Sequence, residues 1–304
     1  MRRVAAIDCG TNSIRLLIAE LADDGRGATD VTRQMRIVRL GQGVDKTGRL
    51  NPDAIERTRV ALSAYASEIE KAEVDAVRMV ATSATRDAAN AADFHDMVRA
   101  TLGHPAEVVT GDEEARLSFT GAVSGLAEPG PYLVVDIGGG STEFVLGSTE
   151  VTAARSVDIG CVRMTERHLH SDPPELAELA AATADISAAV DLALSTVPGS
   201  TAHTLVGLAG SVTTVTAIAR GLNEYDPARI HHARVSREEV AFVTAGLAEM
   251  TREQRSGVGV MHPGRVDVIV AGGLILRTIM EKTGFDSALA SEHDILDGIA
   301  DSLA

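Results

Sequence analysis

Two short stretches of this sequence carry an acid, a glycine and a hydroxyl residue at the same spacing. They read IDCGTNS at residues 7–13 and VDIGGGS at residues 135–141. Successive backbone amides in a tight glycine turn form a concavity that suits phosphate. A carboxylate at the root of such a turn can hold a hydrated Mg²⁺ beside that phosphate. The chemistry indicated is the binding of phosphate groups next to a divalent cation.

The second stretch could also belong to two other phosphate-binding motifs, and the residues after its glycines argue against both. A dinucleotide fold needs a helix directly after the glycines, but Ser141–Leu146 is rich in β-forming residues. A Walker loop needs a lysine after the glycines, and none follows. A plain glycine-rich hairpin, with Asp136 bonding its own turn, stays open as an alternative.

The two stretches also indicate an internal duplication. Asp136, Gly138 and Ser141 each lie 128 positions after an identical residue in the first stretch. Each copy reads as an apolar strand, an acid, a glycine turn and a second apolar segment. Coincidence in a short match is the alternative. Two similar domains are the expectation.

Two further glycine sites occur in the second half. Gly210-Ser211 and Gly272-Gly273 each follow an apolar run and precede a helical pattern. A helix N-terminus beside glycines can receive an anion. Glycine is also needed where a helix packs closely on a strand, so each site alone has a structural explanation.

A carboxylate suited to general-base catalysis occurs in the predicted helix at 112–126. Thr110 and Glu113 have the spacing of a capping box, which explains Glu113. Glu114 lies off the apolar stripe, beside Ser118 and Gly121, and small neighbours leave room for a water molecule and a substrate. The alternative is an exposed helix glutamate.

Arg86 follows a predicted strand in the segment TSATRDAAN. An arginine in such a loop can bind phosphate through its planar fork. A surface arginine paired with Asp87 or another acid is an equal alternative.

Composition limits the function classes. The chain has 304 residues and a net charge of −15, so nucleic acid is repelled over most of its surface. It has no tryptophan and therefore little with which to stack bases. We find no long apolar stretch and no signal peptide, which predicts no membrane span. With two cysteines, Cys9 and Cys161, a disulfide framework is not expected, and a reducing cytoplasm fits. We expect both cysteines to be small buried residues.

The periodicity predicts mixed α and β elements in both halves. Asn51-Pro52 is a clear helix start. The segment LAEPGPY at 126–132 breaks helix and strand alike, so we place domains at 1–127 and 128–304. Strands are predicted at 4–8, 14–20, 34–40, 76–81, 106–109, 132–136, 142–147, 151–157, 204–208 and 267–271. Helices are predicted at 52–72, 93–102, 112–126, 174–196, 212–220, 236–249, 272–283 and 294–303.

Six motifs in order resemble the exopolyphosphatase / guanosine pentaphosphate phosphohydrolase family. They are AIDCGTNSIRLLI, TSATRDAAN, TGDEEARLSFTGA, VVDIGGGSTEFVLG, DIGCVRMTE and GLAGSVTTVTA, and the resemblance runs from residue 4 to about residue 300. It implies an α/β fold of two ribonuclease-H-like domains, of the actin-like ATPase superfamily, with a cleft between them. It also implies hydrolysis of a terminal phosphoanhydride with a divalent cation, usually Mg²⁺. A homodimer is left open.

The resemblance assigns roles to matching residues of this sequence. Glu114 resembles the base that activates water. The predicted metal residues are Asp8 and Asp136. The predicted phosphate-binding residues are Thr11, Asn12, Ser13, Arg86, Gly138, Gly139, Gly140, Ser141, Gly210 and Ser211. Members with a further C-terminal helical domain are longer, so a processive hold on very long polyphosphate is in doubt.

Three activities follow in order of preference. The first is an exopolyphosphatase that releases phosphate from the end of inorganic polyphosphate. The second is a guanosine pentaphosphate 5′-phosphohydrolase on the same scaffold. A kinase of the same superfamily is the third, and a non-catalytic ATP-binding module would need a partner-binding segment that we do not find.

Overall fold

The structure is a computed structural model that describes residues 2–22 and 28–304. The chain forms two compact units. Unit 1 contains the chain up to Ser124 together with Asp294–Ala304, and unit 2 contains Gly125–His293. Each unit has a central sheet with helices packed against it.

Unit 1 is built on a five-stranded sheet in the order β3-β2-β1-β4-β5. The β1–β2 and β2–β3 pairs are antiparallel, and the β1–β4 and β4–β5 pairs are parallel. The strands are β1 (Arg2–Cys9), β2 (Ser13–Leu21), β3 (Ala28–Ile37), β4 (Ala76–Ala81) and β5 (Glu107–Val108). The helices are α1 (Val44–Thr47), α2 (Pro52–Lys71), α3 (Ser83–Arg86), α4 (Ala91–Leu102) and α5 (Gly111–Val123), with the last helix of the chain, Ile295–Asp301.

Unit 2 is built on a six-stranded sheet in the order β10-β11-β9-β6-β7-β8. Its strands are β6 (Tyr132–Ile137), β7 (Thr142–Gly147), β8 (Val151–Val157), β9 (Thr204–Leu208), β10 (Arg234–Ser236) and β11 (Ser287–Ala290). Its helices are α6 (Cys161–His168), α7 (Leu176–Thr196), α8 (Ala209–Ala219), α9 (Pro227–Ile230), α10 (Arg237–Glu249), α11 (Arg252–Ser256) and α12 (Ile269–Thr283). The last helix in chain order, α13 (Ile295–Asp301), follows these elements but belongs to unit 1.

The strand registers of the two units agree with an internal duplication. Asp8 pairs with Val80 between the parallel strands β1 and β4, and Asp136 pairs with Leu208 between β6 and β9. Each residue of the second pair lies 128 positions after its counterpart in the first. The spacing noticed in the two turns therefore extends to the neighbouring strand of each sheet.

Unit 1 has its core on the strands that carry the first glycine turn. The apolar residues of β1 and β2 are almost fully buried, and α2 covers one face with Leu62 and Tyr65. Helix α2 begins as predicted, because the Asn51 side chain accepts a bond of 2.8 Å from the Asp53 amide and Pro52 follows the cap. This packing gives the turn a rigid base.

The C-terminal helix corrects the predicted domain limits. Helix α13 packs on α5 and β1, so the segment after His293 belongs to unit 1 and not to a second domain at 128–304. Gly121 and Gly298 make the helix contact close: a Cβ at either would lie 2.0 Å from a backbone oxygen of the other helix region. The sequence pattern showed an amphipathic helix there but not which core it covers.

The predicted strand at 267–271 is wrong. The segment Val266–Val270 is rich in β-branched residues, but helix α12 begins at Ile269 and runs through Gly272-Gly273. Short apolar runs do not distinguish a strand from a buried helix. Strands β10 and β11 and helix α6 were not predicted, because β10 and β11 are short and α6 has only eight residues. The strand predicted at 34–40 ends at Ile37.

Helix α7 is long and apolar enough to cross a membrane by length and composition, contrary to the expectation that no such stretch exists. Of its most apolar window, 22% is buried. Its buried residues, Ala182, Ile186, Val190 and Ala193, pack in the core of unit 2. A single helix of this kind is weak evidence for a span, and the absence of a membrane partner stays a prediction.

Candidate functional site

The first glycine turn is closed and held from one side. The Gly10 amide donates to the Ser13 carbonyl over 3.0 Å. The carbonyl oxygens of Thr11 and Asn12 accept from backbone amides within residues 38–41, over 2.9 to 3.0 Å. The carbonyl groups at the tip of this turn are therefore satisfied by the segment that follows β3.

The second glycine turn has the same closure. The Gly138 amide donates to the Ser141 carbonyl over 3.1 Å. The carbonyls of Gly138 and Gly139 accept from the first three amides of α6 over 2.9 to 3.1 Å. Arg163, on the first turn of α6, adds a bond of 2.7 Å from its Nε to the Gly140 carbonyl. The start of α6 therefore holds the carbonyl groups of this turn.

The backbone N–H groups of the two turns differ from their carbonyls, because several of them have no protein partner in the part of the chain that the structure describes. Within the described ranges, the N–H groups of Thr11, Gly139 and Gly140 donate to no protein acceptor. A buried or partly buried amide normally has a partner in protein or water. Successive amides left in this way, with their carbonyls engaged elsewhere, are the donor set that an anion-binding turn requires.

Two glycines outside the predicted set, Gly160 and Gly41, allow the neighbouring segments to pack directly against the two turns. A Cβ at Gly160 would lie 2.3 Å from the carbonyl carbon of Gly139, and a Cβ at Gly41 would lie 2.4 Å from Cγ2 of Thr11. Sequence analysis missed both. Gly160 lies in the family motif DIGCVRMTE, which was the available signal.

The acid at the root of each turn has a different partner in the two units. Asp8 lies opposite Arg15 in the β1–β2 ladder and accepts bonds of 3.0 and 2.7 Å from its Nε and Nη2. Arg15 also bonds to Asp294. Burial raises the pKa of the Asp8 carboxyl, and the charge and hydrogen bond of Arg15 act in the opposite direction.

In unit 2 the corresponding position carries a second acid. Asp136 lies opposite Glu143 in the β6–β7 ladder, and both residues are buried. Glu143 accepts a hydrogen bond of 2.7 Å from Ser156 Oγ. Buried carboxylates need a cation or several donors to be stable. Sequence analysis missed Glu143, although the constant offset places it at the position of Arg15.

The donor set suits a hard cation that shares its coordination with a substrate. Among residues 2–22 and 28–304, no group of three or more His, Cys, Asp or Glu residues could enclose a metal ion. Mg²⁺ is usually held by one or two carboxylates, with waters and substrate phosphates completing the octahedron. Asp136 and Glu143 fit that pattern. Asp8 as a metal residue stays a prediction, and its carboxylate is bound to Arg15 here.

Glu114 and Arg86 are brought together in unit 1. Arg86 Nη1 donates to Glu114 Oε2 over 2.7 Å and to the Val109 carbonyl over 2.9 Å. Glu114 is only 8% exposed, so it is not an ordinary surface glutamate. The room expected over Gly121 is taken up by the backbone of Asp294. The ion pair, rather than small neighbours, is what orients the Glu114 carboxylate.

The capping box expected of the neighbouring Glu113 forms only in part, because its carboxylate does not return to the Thr110 amide. Its amide donates to the Thr110 side chain over 3.2 Å, and its carboxylate pairs with Arg78 at 3.0 Å. The two adjacent glutamates therefore differ in environment: Glu113 is at the helix surface and Glu114 faces the protein interior.

The third predicted glycine site, which we call the third loop, is Gly210-Ser211, and it packs beneath an arginine. Gly210 and Ser211 lie in the first turn of α8, and a Cβ at Gly210 would lie 2.2 Å from Cζ of Arg265. Arg265 Nη1 donates to Thr214 Oγ1 over 3.1 Å. Only a glycine at 210 lets the guanidinium lie this close.

Both cysteines are buried, as predicted. Burial raises the pKa of the Cys161 thiol, while a hydrogen bond with Ser211 and the charge of Arg265 lower it in part. Burial also raises the pKa of the Cys9 thiol. A thiol in this state is a poor nucleophile at neutral pH.

The fourth predicted glycine site is a packing site. Gly272 and Gly273 lie inside α12, where a Cβ would come within 2.2 Å of Ser211 Oγ and 2.7 Å of Thr244 Oγ1 respectively. They allow α12 to approach α8 and α10, and no helix N-terminus opens beside them.

Comparison with known proteins decides the family. The sequence matches the Ppx/GppA phosphatase family over residues 17–303. The chain belongs to this family. The Ppx/GppA chain is also 53% identical, over its whole length and 99% of the relative, to Exopolyphosphatase 2 of Mycobacterium tuberculosis.

Solved structures share the fold of this Ppx/GppA phosphatase. The crystal structure of an exopolyphosphatase-like protein is 44% identical, with a TM-score of 0.94 over 98% of this chain and 97% of that one. The Ppx/GppA family member from Aquifex aeolicus is 32% identical, with a TM-score of 0.81 over 99% of this chain and 97% of that one. The predicted family and the predicted α/β class with two sheet-based units are confirmed.

Proposed function

We propose that this phosphatase is an exopolyphosphatase that releases phosphate from the end of inorganic polyphosphate. The observation that carries the proposal is the pair of glycine turns with engaged carbonyls and unbonded amides. Such turns bind phosphate groups by backbone donors and need no base or sugar. The name of the Mycobacterium tuberculosis relative supports the same substrate.

The reaction is an in-line displacement at the terminal phosphorus. Glu114 takes a proton from a water molecule as the water oxygen bonds to phosphorus, and the bridging P–O bond breaks toward the remaining chain. Arg86 keeps the Glu114 carboxylate in place through the 2.7 Å contact. A positioned general base of this kind contributes about 10²–10⁴ in rate.

Phosphate contacts are assigned to the three loops. We assign them to Thr11, Asn12 and Ser13 in the first turn, to the Gly138–Ser141 turn, and to the start of α8 with Gly210 and Ser211. Arg265 lies against this third loop and adds positive charge there. Backbone donors and arginines together stabilise the charge that develops on the transferred phosphoryl group.

We further propose that the cation, Mg²⁺ or another divalent ion, is held by Asp136 and Glu143. When bound, it neutralises charge on the phosphate oxygens and polarises them. Asp8 acts through Arg15 to keep the first turn in shape. A cytoplasmic location and a homodimer, as well as the absence of nucleic acid or membrane partners, stay predictions.

The deciding experiment compares two substrates. Purified protein with Mg²⁺ should release phosphate from polyphosphate much faster than from guanosine pentaphosphate. The reverse ratio would replace our proposal with the pentaphosphate 5′-phosphohydrolase. Steady release without any alcohol acceptor would also rule out a kinase of this superfamily, because a kinase consumes its phosphate donor only with the acceptor bound.

A further inference from the structure

A cavity opens in unit 1 beside the segment that holds the first glycine turn. It has a volume of about 640 Å³, and its walls come from residues 42–43, α1, the loop at 49–51 and the start of α2. That volume is within the range of ligand sites, about 300–1,000 Å³. The charged side chains on its walls are Arg49, Arg57 and Asp53.

The two arginines of this cavity outnumber its one acid, Asp53. Within residues 2–22 and 28–304, neither Arg49 nor Arg57 forms an ion pair. Residues 33–59 carry seven basic and three acidic side chains, so the cavity lies in a locally cationic part of an acidic protein.

The helix end that borders the cavity does not supply the binding groups. Pro52 has no amide proton, the Asp53 amide donates to the Asn51 side chain, and the next two amides donate to the Asn51 carbonyl. An anion in this cavity must therefore be bound by side chains. Arg49 is the better candidate, because its guanidinium makes no hydrogen bond to any described residue.

Arg57 connects the cavity to the phosphate-binding turn. Its Nε donates to the Val38 carbonyl over 2.9 Å, and the Val38 amide donates to the Asn12 carbonyl over 3.0 Å. Gln42, on the cavity wall, directly follows Gly41, whose amide donates to Thr11. One short segment therefore forms a wall of the cavity and holds the first turn.

We propose that this cavity is a subsite for phosphate groups of the polyphosphate chain that lie away from the cleaved end. The inference rests on the proposed function and adds to it a preference for long chains. Arg49 and Arg57 bind the phosphate oxygens. We expect a substrate of three phosphates to be too short to reach the subsite.

The test uses Arg49→Gln, which removes the charge without breaking a structural bond. Because a hydrogen bond to a charged group contributes about 1.5–3 kcal/mol, KM for long-chain polyphosphate should rise about tenfold or more, while kcat stays unchanged. KM for tripolyphosphate should stay within about twofold of the wild-type value. Arg59→Gln is the matched control, because Arg59 lies on α2, is exposed and pairs with Glu56.

Three results would overturn the subsite. The first is an unchanged KM for long chains in Arg49→Gln, and the second is a rise in the KM of that variant for tripolyphosphate as large as its rise for long chains. The third is an equal rise in KM for long chains in Arg59→Gln, which would indicate that any loss of positive charge weakens binding. The proposed function fails separately, if wild-type protein releases no phosphate from polyphosphate. In that case the equilibrium Kd for long-chain polyphosphate decides the subsite: a weaker Kd in Arg49→Gln than in Arg59→Gln supports it, and equal values reject it.

Discussion

At the scale of single residues, the partner of each carboxylate distinguishes its role. Asp8 is held by Arg15, Glu114 by Arg86 and Glu113 by Arg78. Of these acids, Glu114 is both buried and paired with a predicted phosphate-binding arginine. A buried carboxylate that an arginine holds in one orientation is suited to general-base catalysis.

Glu114→Gln should remove most turnover and leave substrate affinity nearly unchanged. Loss of a general base costs about 10²–10⁴ in kcat, whereas an amide can still contact Arg86. Phosphate-release kinetics and a separate binding measurement give the two quantities. Glu113→Gln is the control and should cost little beyond a surface ion pair. If the two variants exchange effects, the base is Glu113.

Arg163 is a positioning residue for the second turn. Arg163→Met removes the bond from its Nε to the Gly140 carbonyl, so the turn amides should lose their alignment. We expect KM for polyphosphate to rise about tenfold, since one charge-assisted bond contributes about 1.5–3 kcal/mol. Arg167→Met, on the same helix and paired with Asp185 at 2.8 Å, should leave KM unchanged. Equal effects in both would indicate lost helix stability instead.

At the scale of elements, each glycine turn depends on a neighbouring segment that binds its carbonyls. Helix α6 serves the second turn and residues 38–41 serve the first. The contact needs a residue without a side chain, Gly160 or Gly41, at the point of closest approach. The turns are therefore shaped by tertiary packing as well as by their own glycines.

Gly160→Ala should impair activity more than stability. Its φ of −141° and ψ of 162° suit alanine, but the new Cβ would lie 2.3 Å from the Gly139 carbonyl carbon. The second turn must move, so kcat/KM should fall about tenfold or more while the protein stays folded.

Gly246→Ala is the matched control. Gly246 lies in α10 with no atom within 4 Å of the added Cβ, and alanine there should raise stability by about 0.5–1 kcal/mol. Thermal denaturation and phosphate release measure both variants. Normal activity in Gly160→Ala would show that the turn tolerates the shift.

The histidines between α9 and β10 should make unit 2 less stable in acid. His232 has a φ of 60°, its ring stacks on His231 at 3.7 Å, and its Nε2 is buried without a partner among the described residues. Burial lowers the pKa of His232, and nearby His293 lowers it further, while Glu128 acts in the opposite direction.

A lowered pKa means that the unfolded chain binds the proton more readily than the folded one. The stability that neutral His232 contributes is present above its ordinary value of 6.5 and is lost as the pH falls toward its folded pKa. Asparagine tolerates the positive φ at this position. Between about pH 7.5 and pH 5.5, the Tm of the His232→Asn variant should fall less than the Tm of wild type. Exposed His104→Gln should follow wild type. Parallel curves for all three proteins would exclude this contribution.

At the scale of the whole molecule, the charge of −15 opposes an anionic substrate. A polyphosphate chain meets a repulsive field unless counter-charges are placed at the site. Within unit 2, Arg265 places a positive charge beside Gly210. The buried carboxylates of Asp136 and Glu143 place negative charge in the same unit, which the proposed cation would offset. The cation should therefore matter for affinity as well as for chemistry.

Chelation should weaken the binding of polyphosphate and not only its turnover. In the Glu114→Gln protein, Kd measured with a chelator should exceed Kd with Mg²⁺ by about tenfold, because an uncompensated charge at short range costs at least 1–2 kcal/mol. Asp136→Asn should raise the Mg²⁺ concentration needed for half-maximal activity. Equal Kd values under both conditions would mean that the turn amides and arginines suffice for binding.

The sequence by itself determined those features that depend on neighbouring residues. The glycine turns, the 128-residue offset, the helix start at Asn51-Pro52 and the α/β class all follow from local pattern. Local pattern reports backbone conformation, because turns, caps and periodic burial are set within a few residues. The same motifs predicted the family and the residues Glu114, Arg86 and Asp136 as a candidate site.

Only the tertiary structure decided which residues meet over long separations. Arg15 binds Asp294 although 279 positions separate them, and α13 returns to unit 1 rather than completing unit 2. The fit of Gly160 against Gly139 and the helical state of 269–273 also depend on tertiary packing. Burial and close packing choose among partners that a one-dimensional pattern leaves equivalent.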